Sequence, residues 1–309
     1  MVSKVTRPRV TADVALEFLR PRFSEIDGVE LLQGGEWSVA FGFSNGDQPL
    51  VARFGRHRED FEKEFVAGSW QLAGLPCPRV LDVGDAFDGS FVVSERHFGS
   101  KLADLPAGRV RLAMASLIEV LAVVRTVELS GSGFGIWLAP SCDAPAPSWF
   151  EYLVGIRERD EQRLVNWRVS LAARPAVEAL FHRACDRLEA LAIAAPYERR
   201  VVHADLLLNH LVGADNEITA VFDWGNSLAG DPLYDIAWIV FCASWFPTID
   251  RAEVLRLAKR RFDVPGFHEL IAVYELHIGV GSLQYLSFAN DDEGLKIVSR
   301  QLEAILEAL

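Results

Sequence analysis

Cysteine is scarce and scattered in this chain. Cys77, Cys142, Cys185 and Cys242 stand singly among 309 residues, with no C-x-x-C pair. That spacing excludes a zinc knuckle and a thioredoxin-like redox site. It fits free thiols in a reducing, cytoplasmic compartment. Positive charge is in deficit, with 31 Lys and Arg against 43 Asp and Glu, a formal net charge of −12. Such a balance opposes a phosphate backbone, so nucleic acid is not an expected partner. It suits the capture of a cationic small molecule, or plain solubility. No run of about 18 apolar residues occurs, so no membrane span is expected. Met1 to Val10 lacks the apolar segment of a signal peptide. Internal repeats and low-complexity tracts are also missing.

What is present is an ample core, with 50% of residues hydrophobic, and one dense polar segment from Val201 to Asp235. Val201-Val202 and Ile218 to Phe222 read as short buried strands. The first runs into His203-Ala204-Asp205 and the second into Asp223-Trp224. Both aspartates therefore stand where a strand gives way to a loop, a position from which a fold aims carboxylates at a ligand. One carboxylate is suited to orient or deprotonate a hydroxyl, the other to hold Mg²⁺ on a nucleotide. A single Asp after a strand is more often a turn former or helix cap; the pair is what draws notice.

Before this segment the pattern is first β-rich, then helical. Val29 to Phe41 reads as strand, turn, strand, and Leu50 to Phe54 as a third strand after the turn at Asn45-Gly46-Asp47. Gly34-Gly35 is either a hairpin turn or a site where backbone N–H groups approach phosphates, with Ser38 adding a hydroxyl. It is neither G-x-G-x-x-G nor a Walker loop. Arg53 lies inside an apolar strand, where a charge needs a reason: a nucleotide phosphate, or an edge strand facing water. Arg58 to Leu72 reads as a helix, with Glu64 placed to pair with Arg53 and Glu62 as the fallback. Arg79 to Val83 and Ser90 to Ser94 form a further strand pair, and Glu95 to Gly99 a connector. From Arg109 onward the spacing is helical to the end, apart from the loop rich in Ser, Gly and Pro between Ser130 and Pro147 and the central segment. Trp238 and Trp245 suit either a sugar pocket or the core.

The chain resembles the aminoglycoside phosphotransferases. The likeness rests on the glycine turn with Glu36 and Ser38, and on Leu75-Pro76-Cys77-Pro78 followed by Val80 to Gly84. It extends to Gly133-Phe134-Gly135, Asn166-Trp167, His203-Ala204-Asp205, Ile218 to Trp224, Gly230-Asp231 and Ile278-Gly279. The resemblance implies an α+β, protein-kinase-like bilobal fold. A small antiparallel β lobe (residues 1–98) covers the nucleotide, and a larger, mainly helical lobe (99–309) carries catalysis and substrate binding. It implies transfer of the γ-phosphoryl group of ATP (or GTP), with Mg²⁺, to a hydroxyl of a cationic acceptor, an aminoglycoside. By position Asp205 matches the catalytic aspartate and Asp223 the metal-binding one, with His203 positioning the loop backbone. Arg53 and Glu64 match the phosphate-contacting pair. Gly35 and Ser38 fall in the nucleotide-covering turn, and Glu95 and His97 in the connector whose backbone meets the nucleobase. Asp231, Glu275 and Asp291 are candidates to receive ammonium groups, beside Trp238 and Trp245. The chain departs from the family where a metal-binding Asn belongs, five residues after Asp205: His210 stands there, and Asn209 one position earlier. Either residue, or neither, serves the metal. Two other readings stay open: the same fold acting on a macrolide, sugar or choline-like metabolite, and a non-catalytic nucleotide-binding module.

Overall fold

The computed structural model describes residues 8–32, 37–159, 163–192, 198–206 and 210–309. Its first part is a five-stranded antiparallel sheet with a helix on each face. Helix α1 (Ala12–Leu19) is capped by the Thr11 side chain and precedes β1 (Ile26–Leu32), β2 (Ser38–Asn45) and β3 (Gln48–Gly55). Helix α2 (Arg58–Gly68) leads to β4 (Val80–Ala86) and β5 (Gly89–Glu95), and the sheet order is β1-β2-β3-β5-β4. Strand β3 is therefore central, which removes the edge-strand explanation for Arg53.

The alternation of a strand then sorts its side chains. Leu50, Ala52 and Phe54 join Ala15 and Leu19 of α1 in one buried cluster. Arg53 takes the opposite face, beside its cross-strand partners Ala40 and Val92 and under Phe61 of α2. Helix α2 lies close on that face: a Cβ at Gly68 would come within 2.8 Å of the Val80 nitrogen.

The rest is mainly helical. In chain order come β6 (Ser100–Lys101), α3 (Ala107–Val124), β7 (Gly135–Ile136), α4 (Trp149–Val154), α5 (Trp167–Ala172) and α6 (Pro175–Leu191). Then follow β8 (Arg200–Val202), β9 (Leu211–Val212), β10 (Ile218–Ala220), β11 (Leu228–Gly230), α7 (Leu233–Cys242), α8 (Arg251–Arg261), α9 (Phe267–Ala289) and α10 (Asp292–Ala308). One large apolar cluster ties α3, α6, α7 and α9 together. No helix among the described residues is long and apolar enough to cross a membrane.

The short strands position the site. Strands β8 and β11 are antiparallel neighbours, with Val202 opposite Leu228. The chain leaving β8 and the chain entering β11 therefore lie at the same end of that sheet. Residues 203–205 and 223–227 are those two chains.

Candidate active site between the sheet and the helical lobe

The segment after β8 is fixed from below. Ala204 has a left-handed backbone, φ 60°, which an L residue with a Cβ adopts only when held there. Asp235, in the first turn of α7, holds it. One carboxylate oxygen accepts the His203 N–H at 2.9 Å and the other the Ala204 N–H at 2.8 Å. Burial pushes the Asp235 carboxyl up to about 7, opposed by these two bonds. The His203 ring is wholly buried, and its Nε2 lies 3.1 Å from the Phe222 carbonyl. A carbonyl only accepts, so Nε2 carries the proton. Burial pushes this imidazole down to about 4, so it is neutral at pH 7 and packs rather than transfers protons. Asp205 follows, half-buried, and accepts a hydrogen bond of 2.8 Å from Asn226 Nδ2.

The segment after β10 is a turn. The Val221 N–H donates to the Pro76 carbonyl at 2.8 Å. Asp223 then adopts φ 71°, ψ 55°, a conformation that Asp tolerates better than most residues, and starts the 3-10 turn Trp224–Asn226. Trp224 anchors that turn in the core, its ring 5.1 Å from Trp70 and 4.5 Å from His203. Asp223 itself is exposed. Thus Asp223 opens a single 3-10 turn, and Asn226 at its other end binds Asp205.

Across from this turn stands the Arg53–Glu64 ion pair, with side chains 17% and 9% exposed. The helix expected over residues 58–72 places Glu64, not Glu62, against Arg53; Glu62 instead binds Arg58 on the surface. Burial pushes the Glu64 carboxyl up to about 7, against the pull of Arg53, and Asp223 raises it further. Asp223 likewise adds to the field that keeps Arg53 protonated. The cation, the two carboxylates and the turn form one electrostatic unit.

Other expected residues fall differently. Ser38 opens β2, half-buried and opposite Gly55. Glu95 ends β5, its carboxylate accepting the Arg79 N–H at 3.3 Å. His97 Nδ1 lies 2.7 Å from the Thr219 carbonyl, tying the connector to β10. Gly35 and Asn209 lie outside the described residues.

His210 is corrected as a metal candidate. It is 1% exposed and packs between His203 and Phe222, ring centroids 5.2 and 5.8 Å away. Burial holds its imidazole well below the ordinary range. The three carboxylates expected to receive ammonium groups each have a partner within the chain. Asp231 is buried and accepts the Leu233 N–H at 2.8 Å, at the start of α7. Glu275, 2% exposed, is gripped by Arg251. Asp291 caps α10, accepting the Gly294 N–H at 2.9 Å. Trp238 and Trp245 are half-buried against the large apolar cluster.

Sequence reading passed over Asp235, Asn226 and Lys63. Asp235 had a visible signal, a carboxylate at the head of the apolar run Ile236 to Phe241, where a charge needs a buried partner. Lys63 had none, since six of the seven residues from Arg58 to Glu64 are charged and the stretch reads as a solvated face.

The donor set fits a hard cation. Asp223 opens the turn and Asp205 is bonded to Asn226 at its other end; both carry carboxylate oxygens, and oxygen is what Mg²⁺ selects. Among the described residues no three side chains of His, Cys, Asp and Glu gather within reach of a common ion, as a zinc cage requires.

A small antiparallel sheet set against a larger helical body, with Asp223 beside a buried Arg–Glu pair and Asp205 bonded to the same turn, defines a protein-kinase-like phosphotransferase fold. The chain belongs to the phosphotransferase enzyme family, whose model matches residues 29–271. It is 29% identical over 291 residues to hygromycin-B 4-O-kinase of Escherichia coli, covering 93% of this chain and 83% of that protein. A thermostable mutant of aminoglycoside phosphotransferase APH(4)-Ia, solved as a ternary complex with AMP-PNP and hygromycin B, is 27% identical with a TM-score of 0.82, covering 94% of this chain and 97% of that one. APH(4)-Ia itself superposes with a TM-score of 0.83 at 26% identity, over 96% and 99% of the two chains.

Proposed function

We propose that this protein is an ATP- and Mg²⁺-dependent kinase that phosphorylates a hydroxyl of an aminoglycoside, hygromycin B foremost, and so confers resistance to it in the cytoplasm. The observation that carries the reading is the 3-10 turn with Asp223 at one end and Asn226, bonded to Asp205 at 2.8 Å, at the other. The acidic balance of −12 supports a polycationic acceptor. So does the likeness to an enzyme solved with hygromycin B. All four cysteines are free, which agrees with a reducing compartment.

In this reading residues 1–98 cover the nucleotide and 99–309 bind the acceptor, with Glu95 and His97 in the connector between. The acceptor hydroxyl donates a hydrogen bond to Asp205, which orients its oxygen for in-line attack on the γ-phosphorus. The new P–O bond forms as the bond to the bridging oxygen breaks, ADP leaves, and the hydroxyl proton passes to Asp205 and then to water. Arg53, held by Glu64, steadies the non-transferred phosphates, and Ser38, with Gly35 by the family resemblance, is assigned to covering the nucleotide. Magnesium, when bound through Asp223 and Asn209, offsets the charge on the phosphates. Trp238 and Trp245 offer aromatic faces to the amino sugar. The aspartate and two asparagines replaced by alanine in three solved forms of APH(4)-Ia are spaced four and five residues apart, as Asp205, Asn209 and His210 are here. That spacing, with His210 buried, favours Asn209 for the metal.

The test is phosphoryl transfer from labelled ATP across a panel of aminoglycosides, a macrolide, sugars and choline. Asp205→Ala is expected to lower kcat by about 10²–10⁴ while nucleotide binding survives. A variant that turns over at the parent rate overturns the role of Asp205. Turnover confined to the non-aminoglycoside acceptors overturns the substrate and keeps the chemistry. Growth of a sensitive bacterium on hygromycin B, with and without the protein, checks the resistance.

A further inference from the structure

Lys63 is 2% exposed, next to Glu64 on α2. Its ammonium makes no ion pair among the described residues. It donates instead to two backbone carbonyls of the helical lobe, Gly225 at 3.0 Å and Ser227 at 2.9 Å. The Trp137 ring covers it, centroid 5.1 Å away. Trp137 is itself wholly buried with Cys142 and Ala229, and packs against Val66 of the same helix. The nearby Asp60 carboxylate is taken by Arg163, at 2.8 and 3.0 Å.

A buried ammonium without a carboxylate is costly to maintain. Here the charge serves two carbonyls of the turn that begins with Asp223. The contact is close all along this face of the helix: a Cβ at Gly225 would come within 2.8 Å of the Asp60 side chain. Successive residues on a helix diverge by about 100°, so Lys63 grips the turn while Glu64 meets Arg53. One helical turn therefore touches both halves of the phosphate-binding arrangement.

We propose that Lys63 is a positioning residue for phosphoryl transfer, a pin between the lobes that holds the turn bearing Asp223 in register with the Arg53–Glu64 pair. The assignment rests on the kinase reading above for its catalytic consequence, but the pin is a physical link that can be read without turnover. Because α2 is fixed to the turn by Lys63 and covered by Trp137, the Arg53–Glu64 pair and Asp223 move as one body. Loosening the pin lets Asp223 drift relative to Arg53, while the backbone of His203 and Ala204, held separately by Asp235, stays in place.

The experiment compares the parent, Lys63→Met and Lys63→Gln by three readouts: backbone amide exchange, Mg·ATP affinity by calorimetry, and steady-state kinetics. Lys63→Met keeps most of the stem and removes the donors; Lys63→Gln restores an uncharged donor. In Lys63→Met, exchange over residues 222–228 is expected to quicken at least tenfold while that of 201–205 is unchanged. Mg·ATP affinity falls about fivefold or more, kcat falls about tenfold, and KM for the acceptor holds. Lys63→Gln recovers part of each. Unchanged exchange over 222–228 overturns the pin, as does a loss of activity that follows only the fraction of protein unfolded. If Lys63→Met does not fold, Lys63→Gln with parent-like exchange and kinetics still supports a donor role, and Lys63→Gln with parent exchange but lost Mg·ATP affinity overturns it. A parent that binds Mg·ATP but phosphorylates no acceptor sinks the kinase reading, and the exchange readout still decides on the pin.

Discussion

Arg53–Glu64 and Arg251–Glu275 are the same pair of side chains in two settings, one in the sheet lobe and one in the helical lobe. Both glutamates are buried, and burial raises both carboxyls above the ordinary range. In the second pair the valences are filled. Each Glu275 oxygen faces one Arg251 nitrogen, with Oε2 to Nη2 at 2.8 Å, and the same guanidinium reaches the Val240 carbonyl at 3.3 Å. In the first pair Glu64 Oε1 is buried with no hydrogen-bond partner among the described residues, and the exposed carboxylate of Asp223 adds to the field. A buried carboxylate completed by a half-exposed arginine is a structural joint. A buried pair left incomplete beside an open carboxylate is arranged for something that binds there.

The largest expected effect comes from removing the incomplete pair's cation. Arg53→Met is expected to lower kcat/KM for ATP by about 10²–10³, the usual cost of one preorganised electrostatic contact to a charged reacting group. Arg251→Met should leave kcat per folded molecule unchanged. Equal losses of activity in the two variants would break the comparison.

Arg251→Met acts on stability instead, by about 1–3 kcal/mol in denaturant unfolding, because it strands a buried carboxyl. The sign with pH follows from Glu275, whose folded pKa already lies above its unfolded value and rises further without Arg251. A carboxyl of that kind contributes stability in acid and loses it as pH rises. The gap between variant and parent should widen from pH 5 to pH 8. A gap that narrows would mean Glu275 is solvated in the variant.

Asp235 sharpens the distinction, being a buried carboxylate filled by two N–H donors and no cation. Asp235→Asn sets an amide NH₂ against one of those N–H groups. It is expected to cost about 1–3 kcal/mol and to lower kcat through the loop that carries Asp205. Parent-like kcat with reduced stability would show that the loop keeps its shape without Asp235.

The sequence made the sheet lobe and the two strand-to-loop aspartates legible because those features are local. Alternation in Leu50 to Phe54 fixes which way Arg53 points, and α-helical spacing brings Glu64 rather than Glu62 onto it. The acidic partners of the acceptor were not legible. Asp231, Glu275 and Asp291 have the right sign and region. Yet their oxygens go to a helix N–H, an arginine far along the chain, and a helix cap, and only packing decides that. His210 shows the same limit. Its place in the loop suggested a ligand, while its 1% exposure makes it core. Lys63 lay hidden for the opposite reason, since a lysine amid charges looks solvated until its helix meets a second lobe.

The smallest effect tests whether burial, rather than pairing, separates these cases. Arg58 opens α2 and makes ion pairs with Glu62 at 2.7 Å and Asp85 at 2.6 Å. By the number of its partners it is better paired than Arg251. Its carboxylates are in water, though, where ordering two long side chains offsets most of the attraction and salt screens the rest. Arg58→Ala should therefore leave the unfolding midpoint and kcat at parent values at physiological salt, with only a slight loss at low ionic strength. A midpoint shift as large as that of Arg251→Met, and insensitive to salt, would mean that the number of ionic contacts governs this protein, and the contrast between filled and unfilled buried pairs would lose its footing.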